Sequence, residues 1–180
     1  MKEPEIKKEK EIYEGSFLSL NLFEMEKDGE RFEREVVIFP KTVGILPLIE
    51  ESRIVLIRQY RCPARQYLWE IPAGKIEEGE DPEQAAKREL IEETGFGVKS
   101  LQKLGEIYVS PGYTTEYMYL FKAGIKRQGE QQLEKGEIIS RIDFFEEEEV
   151  WKMVDQGGIK DSKTLMALAL NKLDYKFQAK

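Results

Sequence analysis

Three glutamates near the middle of the chain, Glu89, Glu92 and Glu93, are spaced to share one face of a helix. At about 100° per residue they fall within a wedge of about 100°, with no cation between Glu89 and Glu93 on that stripe. Like charges four residues apart destabilise an isolated helix by roughly a few tenths of a kcal/mol. Mg²⁺ turns such repulsion into attraction, because it prefers oxygen ligands and completes its shell with water and substrate phosphate. The spacing therefore indicates a divalent-metal site; the simpler alternative is a solvated acidic face on which Arg88 and Glu92 form an ordinary ion pair.

The helix that would carry these glutamates is marked at both ends. Asp81 suits the N-cap, Pro82 the first helical position and Gln84 the partner position of a capping box, while Gly95 lies just past the last turn. These end signals predict a helix over residues 82–94, which would hold the glutamates in register.

The segments before this helix predict mainly strands. Residues 1–12 are expected to be a solvated or partner-bound leader with little fixed structure, because lysines and glutamates balance there. The segments FLSLNLFEMEK and RFEREVVIF predict an antiparallel hairpin around the Asp28-Gly29 turn. Two buried strands are expected from VGILPLIE and RIVLIRQY, and CPARQYLWEIPAG is expected to be a loop-rich approach to the helix.

The segments after the helix predict three more strands and two more helices. The strands are KLGEIYVS, EYMYLFKAGI and IISRIDFF. The helices are EEEEVWKMVDQG, whose acidic start suits the helix dipole, and TLMALALNKL, capped by Asp161. Mixed strands with few helices favour an α+β fold of the layered α/β/α kind.

The composition excludes several kinds of active site. The 180 residues include no histidine and one cysteine, Cys62, which excludes Ser-His-Asp and Cys-His catalysis, histidine zinc sites and an internal disulfide. Acid-base chemistry must fall to Asp, Glu, Lys or Tyr. The 28 Lys and Arg against 35 Asp and Glu give a formal charge of −7, which argues against a nucleic-acid partner. Without a long apolar run or a leader-peptide pattern, we expect a cytoplasmic protein and no membrane partner.

The glutamates belong to a longer pattern. Gly74 is followed by five residues and Glu80, then by seven residues and the run RELIEETGF from Arg88 to Phe96. We refer to this pattern, residues 74–96, as the box. In this complete pattern the chain resembles the Nudix hydrolase family, whose members cleave a nucleoside diphosphate linked to another group. The resemblance implies a Nudix-type sandwich of mixed sheets and helices. It also implies a loop-helix-loop site for Mg²⁺, or for Mn²⁺ or another divalent cation in its place.

The resemblance assigns roles within this pattern. The implied metal ligands are Glu89, Glu93, Glu92 and the carbonyl of Ala73. Glu92 would be either a ligand or a catalytic group that orients water, and Arg88 would be the ion-pair partner that positions the carboxylates. Glu77 and Glu80 are weaker metal candidates, and Glu80 would serve equally well as a loop carboxylate.

A second set of residues indicates one branch of this family. Pro111 lies 16 residues beyond Gly95 within SPGYTTE, and RQYRCP and WEIPAG precede the box. Over about residues 50–145 the chain therefore resembles the ADP-ribose pyrophosphatases. The resemblance implies hydrolysis of ADP-ribose to AMP and ribose 5-phosphate. The alternatives are a hydrolase of another nucleoside diphosphate sugar such as GDP-mannose, an ADP-ribose sensor without hydrolysis, and a simple acidic metal-binding protein.

Several residues outside the box are candidates for substrate contact: Arg58, Arg61, Trp69, Tyr60, Tyr113, Pro111 and Glu116. The two arginine forks suit phosphate oxygens, although Arg58 on a strand would equally face water. The aromatic rings would stack on a base or simply pack. Glu116 follows the Ser-Pro-Gly turn and would reach a ribose hydroxyl or a water.

The catalytic base implied by the resemblance is a glutamate on a loop after the box. The corresponding run is QLEKGEIIS, in which Glu137 is the first candidate and Glu134 the second, with Glu116 as a third. Relatives in the branch also pair through N-terminal strands. The chain is therefore expected to divide into an N-terminal β extension, residues 1–40, that takes part in a homodimer, and a Nudix domain, residues 41–180.

Overall fold

A computed structural model describes residues 2–50, 52–127 and 129–173. The strands in chain order are β1 (Glu5–Glu14), β2 (Ser19–Lys27), β3 (Glu30–Ile38), β4 (Thr42–Ile49), β5 (Arg53–Arg61), β6 (Gln66–Glu70), β7 (Ala73–Lys75), β8 (Phe96–Tyr108), β9 (Tyr117–Arg127) and β10 (Ile139–Glu146). The helices are α1 (Pro82–Thr94), α2 (Glu147–Asp155) and α3 (Ser162–Lys172). Two compact units are formed by the described parts of Met1–Lys41 with Tyr108–Tyr117, and of Thr42–Ile107 with Met118–Lys180.

The first unit contains a three-stranded antiparallel sheet in the order β1-β2-β3. Between β2 and β3, Asp28 and Gly29 have φ angles of 52° and 86°. Two successive residues in the left-handed region form the tight turn whose twist suits a hairpin, and an Asp-Gly pair adopts that conformation readily. The predicted hairpin is confirmed.

The mixed-charge leader forms a strand, so the prediction of little fixed structure for residues 1–12 was wrong. β1 pairs with β2 although every residue in β1 is exposed. The Nζ atoms of Lys7 and Lys8 lie 3.6 Å and 3.8 Å from carboxylate oxygens of Glu26 and Glu24 on β2. The backbone ladder and these complementary charges stabilise the strand, and neither can be seen in the leader without its partner strand.

The segment Tyr108–Tyr117 belongs to the same unit and is bonded to the end of β3. Thr115 N–H donates to the Val37 carbonyl at 3.0 Å, and Val37 N–H donates to the Tyr113 carbonyl at 2.8 Å. These backbone bonds fix the turn that contains Pro111 within the first unit.

The second unit is built on a seven-stranded mixed sheet with the path β10-β5-β4-β9-β8. β4 and β9 run parallel, whereas β5 runs antiparallel to both β4 and β10. The short strands β6 and β7 pair with β5 and β4, so the prediction that residues 62–74 are loop-rich was wrong at 66–70 and 73–74, whereas residues 62–65 and 71–72 lie outside strands and helices. With five and three residues, these strands are too short to show a periodic pattern, and pairing with their neighbours stabilises them.

Helices cover both faces of this sheet. Val43 and Ile45 of β4 pack with Leu90 of α1 in one buried apolar cluster. Gly44, between them, faces the opposite side toward Ile71, and α3 packs on β4 there. α2 contacts β10 and β5. The predicted layered α/β/α arrangement of mixed strands and three helices is confirmed.

The other predicted elements are confirmed with small changes in their bounds. β4 and β5 cover the two predicted apolar runs, and β9, β10, α2 and α3 follow in the expected order. β8 begins at Phe96, directly after the glutamate helix, and not at Lys103 as predicted. In the part of the chain that the structure describes, no helix is both long enough and apolar enough to span a membrane.

Candidate metal and active site

Helix α1 has the bounds that its end signals predict, Pro82–Thr94. The Asp81 carboxylate accepts from the N–H groups of Glu83 and Gln84 at 2.9 Å each, and the Gln84 side chain accepts from the Asp81 N–H at 3.1 Å. Gly95 ends the helix with a φ of 73°. Because both ends are closed in this way, the glutamates of the last two turns keep a fixed helical register.

Of the glutamates Glu89, Glu92 and Glu93 on this helix, two are buried. Glu93 is 1% exposed and Glu89 is 7% exposed. Glu93 Oε2 accepts from the Ala73 N–H at 3.0 Å, whereas Oε1 has no hydrogen-bond partner among the residues described. Burial raises the pKa of Glu89 to about 7, although Arg88 opposes the shift, and burial raises the pKa of Glu93 well above its usual value. Two buried carboxylates that are both ionised destabilise the fold unless a cation offsets their charge.

The glycine that opens the box leaves space for the Glu89 carboxylate. A Cβ at Gly74 would lie 2.0 Å from both Cδ and Oε1 of Glu89, far inside van der Waals contact. Gly74 belongs to β7, which pairs with β4, and its φ is not in the left-handed region. Close approach of the carboxylate, and not an unusual dihedral angle, therefore explains a glycine at this position.

Arg88 joins the loop before the helix to two of its carboxylates. Its guanidinium donates to both oxygens of Glu80 at 3.0 and 2.9 Å, to Glu89 at 2.8 Å and to Glu92 at 2.9 Å. It also donates to the Lys75 carbonyl at 2.8 Å. The bonds to Glu80 are the main cause that raises the pKa of Arg88, and they lower the pKa of Glu80. Glu80 therefore holds the Arg88 guanidinium in place, and Arg88 in turn binds the two carboxylates of the helix.

The loop that carries Glu137 is attached to the C-terminal end of α1. The Glu92 carbonyl accepts from the Gln132 N–H at 2.8 Å, and Glu134 N–H donates to the Glu137 carboxylate at 3.0 Å. The last turn of α1 has no basic residue, and donors of the following loop, the Gln132 N–H and the Gln131 side chain, bind the carbonyls of Glu92 and Glu93. Glu137 is near enough to Glu93 for its charge to add to the raised pKa of Glu93, after burial.

A buried ion-pair network, which the sequence analysis missed, lies beside this site. The Glu70 carboxylate is fully buried and accepts from Nε and Nη2 of Arg61 at 2.7–3.1 Å and from Lys163 Nζ. Lys163 also donates to Asp161 at 2.8 Å. Burial lowers the pKa of Arg61, but its bonds to Glu70 outweigh burial and raise it overall. The available signal was a lone glutamate inside the apolar run WEIP.

Arg58 and Trp69 are part of a stacked surface cluster. The Arg58 guanidinium carbon lies 5.9 Å from the Trp69 ring centre and 5.6 Å from that of Tyr67. Arg141 lies 5.7 Å from the Trp69 ring, and Tyr60 packs edge-on against Tyr67 at 5.3 Å between ring centres. Arg58 therefore does not simply face water, because aromatic rings hold its planar group at the surface.

Three candidates lie in the first unit: Pro111, Tyr113 and Glu116. Pro111 and Tyr113 are exposed. The Glu116 carbonyl accepts from the Val109 N–H at 3.2 Å, and the Glu116 N–H donates to the Thr114 hydroxyl at 3.1 Å. The structure thus brings the box residues and Glu137 together in the second unit and places these three residues in the first.

The carboxylates of α1 fit a divalent cation in their donor chemistry. All are hard oxygen donors, Glu93 Oε1 is buried without a partner, and Gly74 leaves room beside Glu89. Across residues 2–50, 52–127 and 129–173, no three acidic or cysteine side chains already converge as a complete ligand set. A cation with few protein ligands completes its shell with water and phosphate, as Mg²⁺ commonly does.

The layered fold, the carboxylate helix α1 and the glycine strand β7 before it define the class of protein. Residues 38–168 match the family model of the NUDIX domain. The chain belongs to the Nudix family, which confirms the resemblance in the box.

Individual relatives cover nearly the whole chain. The chain is 34% identical over 182 residues to an ADP-ribose pyrophosphatase of Bacillus subtilis (strain 168), covering 99% of this chain and 97% of that protein. It is 34% identical over 164 residues to a methanol dehydrogenase activator of Bacillus methanolicus, covering 89% and 88%. It is 32% identical over 177 residues to a GDP-mannose pyrophosphatase of Cronobacter sakazakii (strain ATCC BAA-894), covering 91% and 92%. The crystal structure of an ADP compounds hydrolase has the same fold, with a TM-score of 0.85 at 22% identity over 96% of this chain and 94% of that one.

Proposed function

We propose that this chain hydrolyses the pyrophosphate bond of ADP-ribose to AMP and ribose 5-phosphate with the help of a divalent cation, Mg²⁺ in the first place. The observation that carries the proposal is the buried pair Glu89 and Glu93, one of whose oxygens has no partner among the described residues, on a helix with a complete box. The near-full-length similarity to an ADP-ribose pyrophosphatase supports the substrate.

The cation would be held by Glu89, Glu93 and Glu92, with the Ala73 carbonyl as a further ligand. Bound there, it would neutralise phosphate charge and lower the pKa of a water molecule. Arg88 contacts both Glu89 and Glu92, so it restricts where these carboxylates can lie.

The chain contains no histidine, so another side chain must accept the proton of the attacking water, and we assign this role to a glutamate. The water oxygen forms a bond to phosphorus, the bond from phosphorus to the bridging oxygen breaks, and the water proton passes to a carboxylate. Glu137 is our first candidate for this base and Glu134 the second, with Glu92 orienting the water. The bonds of the Glu137 loop to the end of α1 support this assignment.

The proposed substrate contacts are made by half-buried cations and rings. Arg61 has its Nε and Nη2 bound to Glu70, and among the described residues Nη1 has no hydrogen-bond partner and would meet a phosphate oxygen. Arg58 and Trp69 present a planar cation and a ring together at the surface. Pro111 and Glu116 stay predictions as contacts that select the sugar nucleotide.

The test is turnover of ADP-ribose beside GDP-mannose, other nucleoside diphosphate sugars and NADH, with and without Mg²⁺, with products separated by chromatography. Glu93→Gln keeps the size of the side chain and removes its charge, so it should lower turnover by about 10²-fold or more. Glu83→Gln, on the exposed side of the same helix, is the matched control and should retain wild-type turnover. A Glu93→Gln enzyme with wild-type turnover and metal dependence would contradict the proposed metal site.

A second candidate is hydrolysis of GDP-mannose. The similarity to a GDP-mannose pyrophosphatase over 91% of the chain favours it. The same panel separates the two substrates, because each releases a different nucleotide. Tight ADP-ribose binding without products would instead favour a sensor.

We also propose a cytoplasmic homodimer that pairs through residues 1–40, with residues 41–180 as the Nudix domain and no nucleic-acid or membrane partner. The exposed apolar side chains of Ile6, Ile12 and Tyr13 on β1 support pairing. One exposed cysteine, Cys62, suits a reducing compartment. Light scattering of the full chain tests the dimer, and a monomer mass would contradict it.

A further inference from the structure

A path of hydrogen bonds joins the start of α3 to the carboxylates of α1. The hydroxyl of Thr164, which is fully buried, donates to the Asp161 carboxylate at 2.6 Å and accepts from the Ile71 N–H at 2.9 Å. Two residues further along, the Ala73 N–H donates to Glu93 Oε2 at 3.0 Å. The segment from Ile71 to Ala73 is therefore bonded to α3 at one end and to a candidate metal ligand at the other.

The same short segment is held at each successive residue. The buried Glu70 carboxylate accepts from Lys163, and Lys163 also donates to Asp161 at 2.8 Å. The Pro72 carbonyl accepts from a backbone N–H of β4 at 2.9 Å. Each residue from Glu70 to Ala73 thus has one polar group bound to a different neighbour, which leaves the backbone little freedom.

The start of α3 is itself fixed, so it can act as a support. Asp161 is the N-cap of α3 and accepts from the Thr164 N–H at 2.9 Å. Leu168, one turn further on, is 1% exposed in the core. Because protein interiors are close-packed, a shift in the first turn of α3 would be transmitted to the segment that bears the Ala73 N–H. Metal sites tolerate errors of only about 0.2 Å in ligand distance.

We propose that Thr164 and Lys163 are positioning residues of the metal site, which fix the segment from Glu70 to Ala73 so that Glu93 is held in the geometry that binds the cation. The inference rests on the proposed function, because it takes Glu93 as a metal ligand. The two residues lie on a helix outside the box, and the hydrogen bonds that link them to Glu93 run through this segment.

The first variant is Thr164→Val, which keeps the shape of the side chain and removes its hydroxyl. The dissociation constant for Mn²⁺, measured without substrate by electron paramagnetic resonance, should rise roughly 10-fold, a size typical when a group that orients a ligand is removed. The Mg²⁺ concentration for half-maximal turnover should rise by a similar factor, while kcat at saturating Mg²⁺ should change less. Thr164→Ser keeps the hydroxyl, so its Mn²⁺ affinity should be near that of the wild type. Lys163→Met removes the ammonium group that binds Glu70, so it should weaken Mn²⁺ binding as Thr164→Val does.

The control is Leu168→Ala, which loosens the same helix without touching the hydrogen-bonded path. It should lower the melting temperature at least as much as Thr164→Val does and should leave Mn²⁺ affinity near that of the wild type. If Leu168→Ala weakens Mn²⁺ binding equally, general loosening explains the effect and the positioning role is wrong.

The proposed function and this inference fail in different ways. Wild-type Mn²⁺ affinity in Thr164→Val, together with lost affinity in Glu93→Gln, would overturn the positioning role and keep the metal site. Wild-type Mn²⁺ affinity in Glu93→Gln would overturn the proposed metal site, and with it this inference.

Discussion

Replacing Gly74 by alanine tests the closest contact in the site. A Cβ at Gly74 would lie 2.0 Å from Glu89 Cδ, whereas ordinary contact begins at 3.4 Å. Either the carboxylate or strand β7 must therefore move by about 1.4 Å, several times the ~0.2 Å that ligand distances tolerate. Because the φ of Gly74 is not in the left-handed region, alanine adds no dihedral strain, and the contact alone is tested.

The expected loss follows from this displacement. A misplacement of about 1 Å at a reacting centre costs on the order of 10²-fold in rate. We therefore expect kcat/KM for ADP-ribose to fall about 10²-fold in Gly74→Ala at fixed Mg²⁺, which corresponds to about 2.7 kcal/mol of lost transition-state stabilisation. Mn²⁺ affinity without substrate should fall as well, since Glu89 is displaced before substrate binds.

The assay is the initial rate of AMP release across a range of Mg²⁺ concentrations, with melting temperatures measured alongside. Gly105→Ala is the matched control, because Gly105 is also a strand glycine of the second unit, is buried, and its added Cβ would lie 3.1 Å from the flexible end of Leu170. The control should keep wild-type kcat/KM. Wild-type kcat/KM and Mn²⁺ affinity in Gly74→Ala would refute the argument that Gly74 makes room for a metal-binding Glu89.

Two further results are expected. The pKa values of Glu89 and Glu93 are raised in the fold, so both groups hold a proton more tightly there than in the unfolded chain. Without metal, this proton binding stabilises the fold fully at pH values below 4.5, the ordinary pKa of a glutamate, and the contribution is lost as the pH rises through about 7 for Glu89. The melting temperature without metal should therefore fall across that range, and saturating Mg²⁺ should suppress the fall; a rise would contradict the assignment. Asp81→Ala should lower the free energy of unfolding in urea by about 1 kcal/mol, because it removes the N-cap. Asp81→Asn keeps an acceptor, so an equal loss there would show that capping is not the cause.

The helix of the box could be predicted because its causes are local. Asp81, Gln84 and Gly95 act through bonds between residues a few positions apart, and those bonds are present in the structure. The Asp28-Gly29 hairpin could be predicted for the same reason, since its turn depends on two dihedral angles.

The elements that prediction missed depend on partners far away in the chain. β1 looks like a solvated leader until its charges are placed opposite those of β2. β6 and β7 are too short for a pattern and exist as strands because β5 and β4 lie beside them. Glu70 and Lys163 are 93 residues apart, so their ion pair has no local signal.

The sequence by itself determined the glutamate helix, the shared face of its three carboxylates and the family that the box defines. Only the tertiary structure decided that Glu89 and Glu93 are buried, with Gly74 against one and the Ala73 N–H bonded to the other. Helix register follows from hydrogen bonds within one turn, and a single chain segment contains all the groups that make them. Burial, and the pKa shifts that follow from it, arise when distant segments exclude water from the same carboxylates, which requires the whole packed unit.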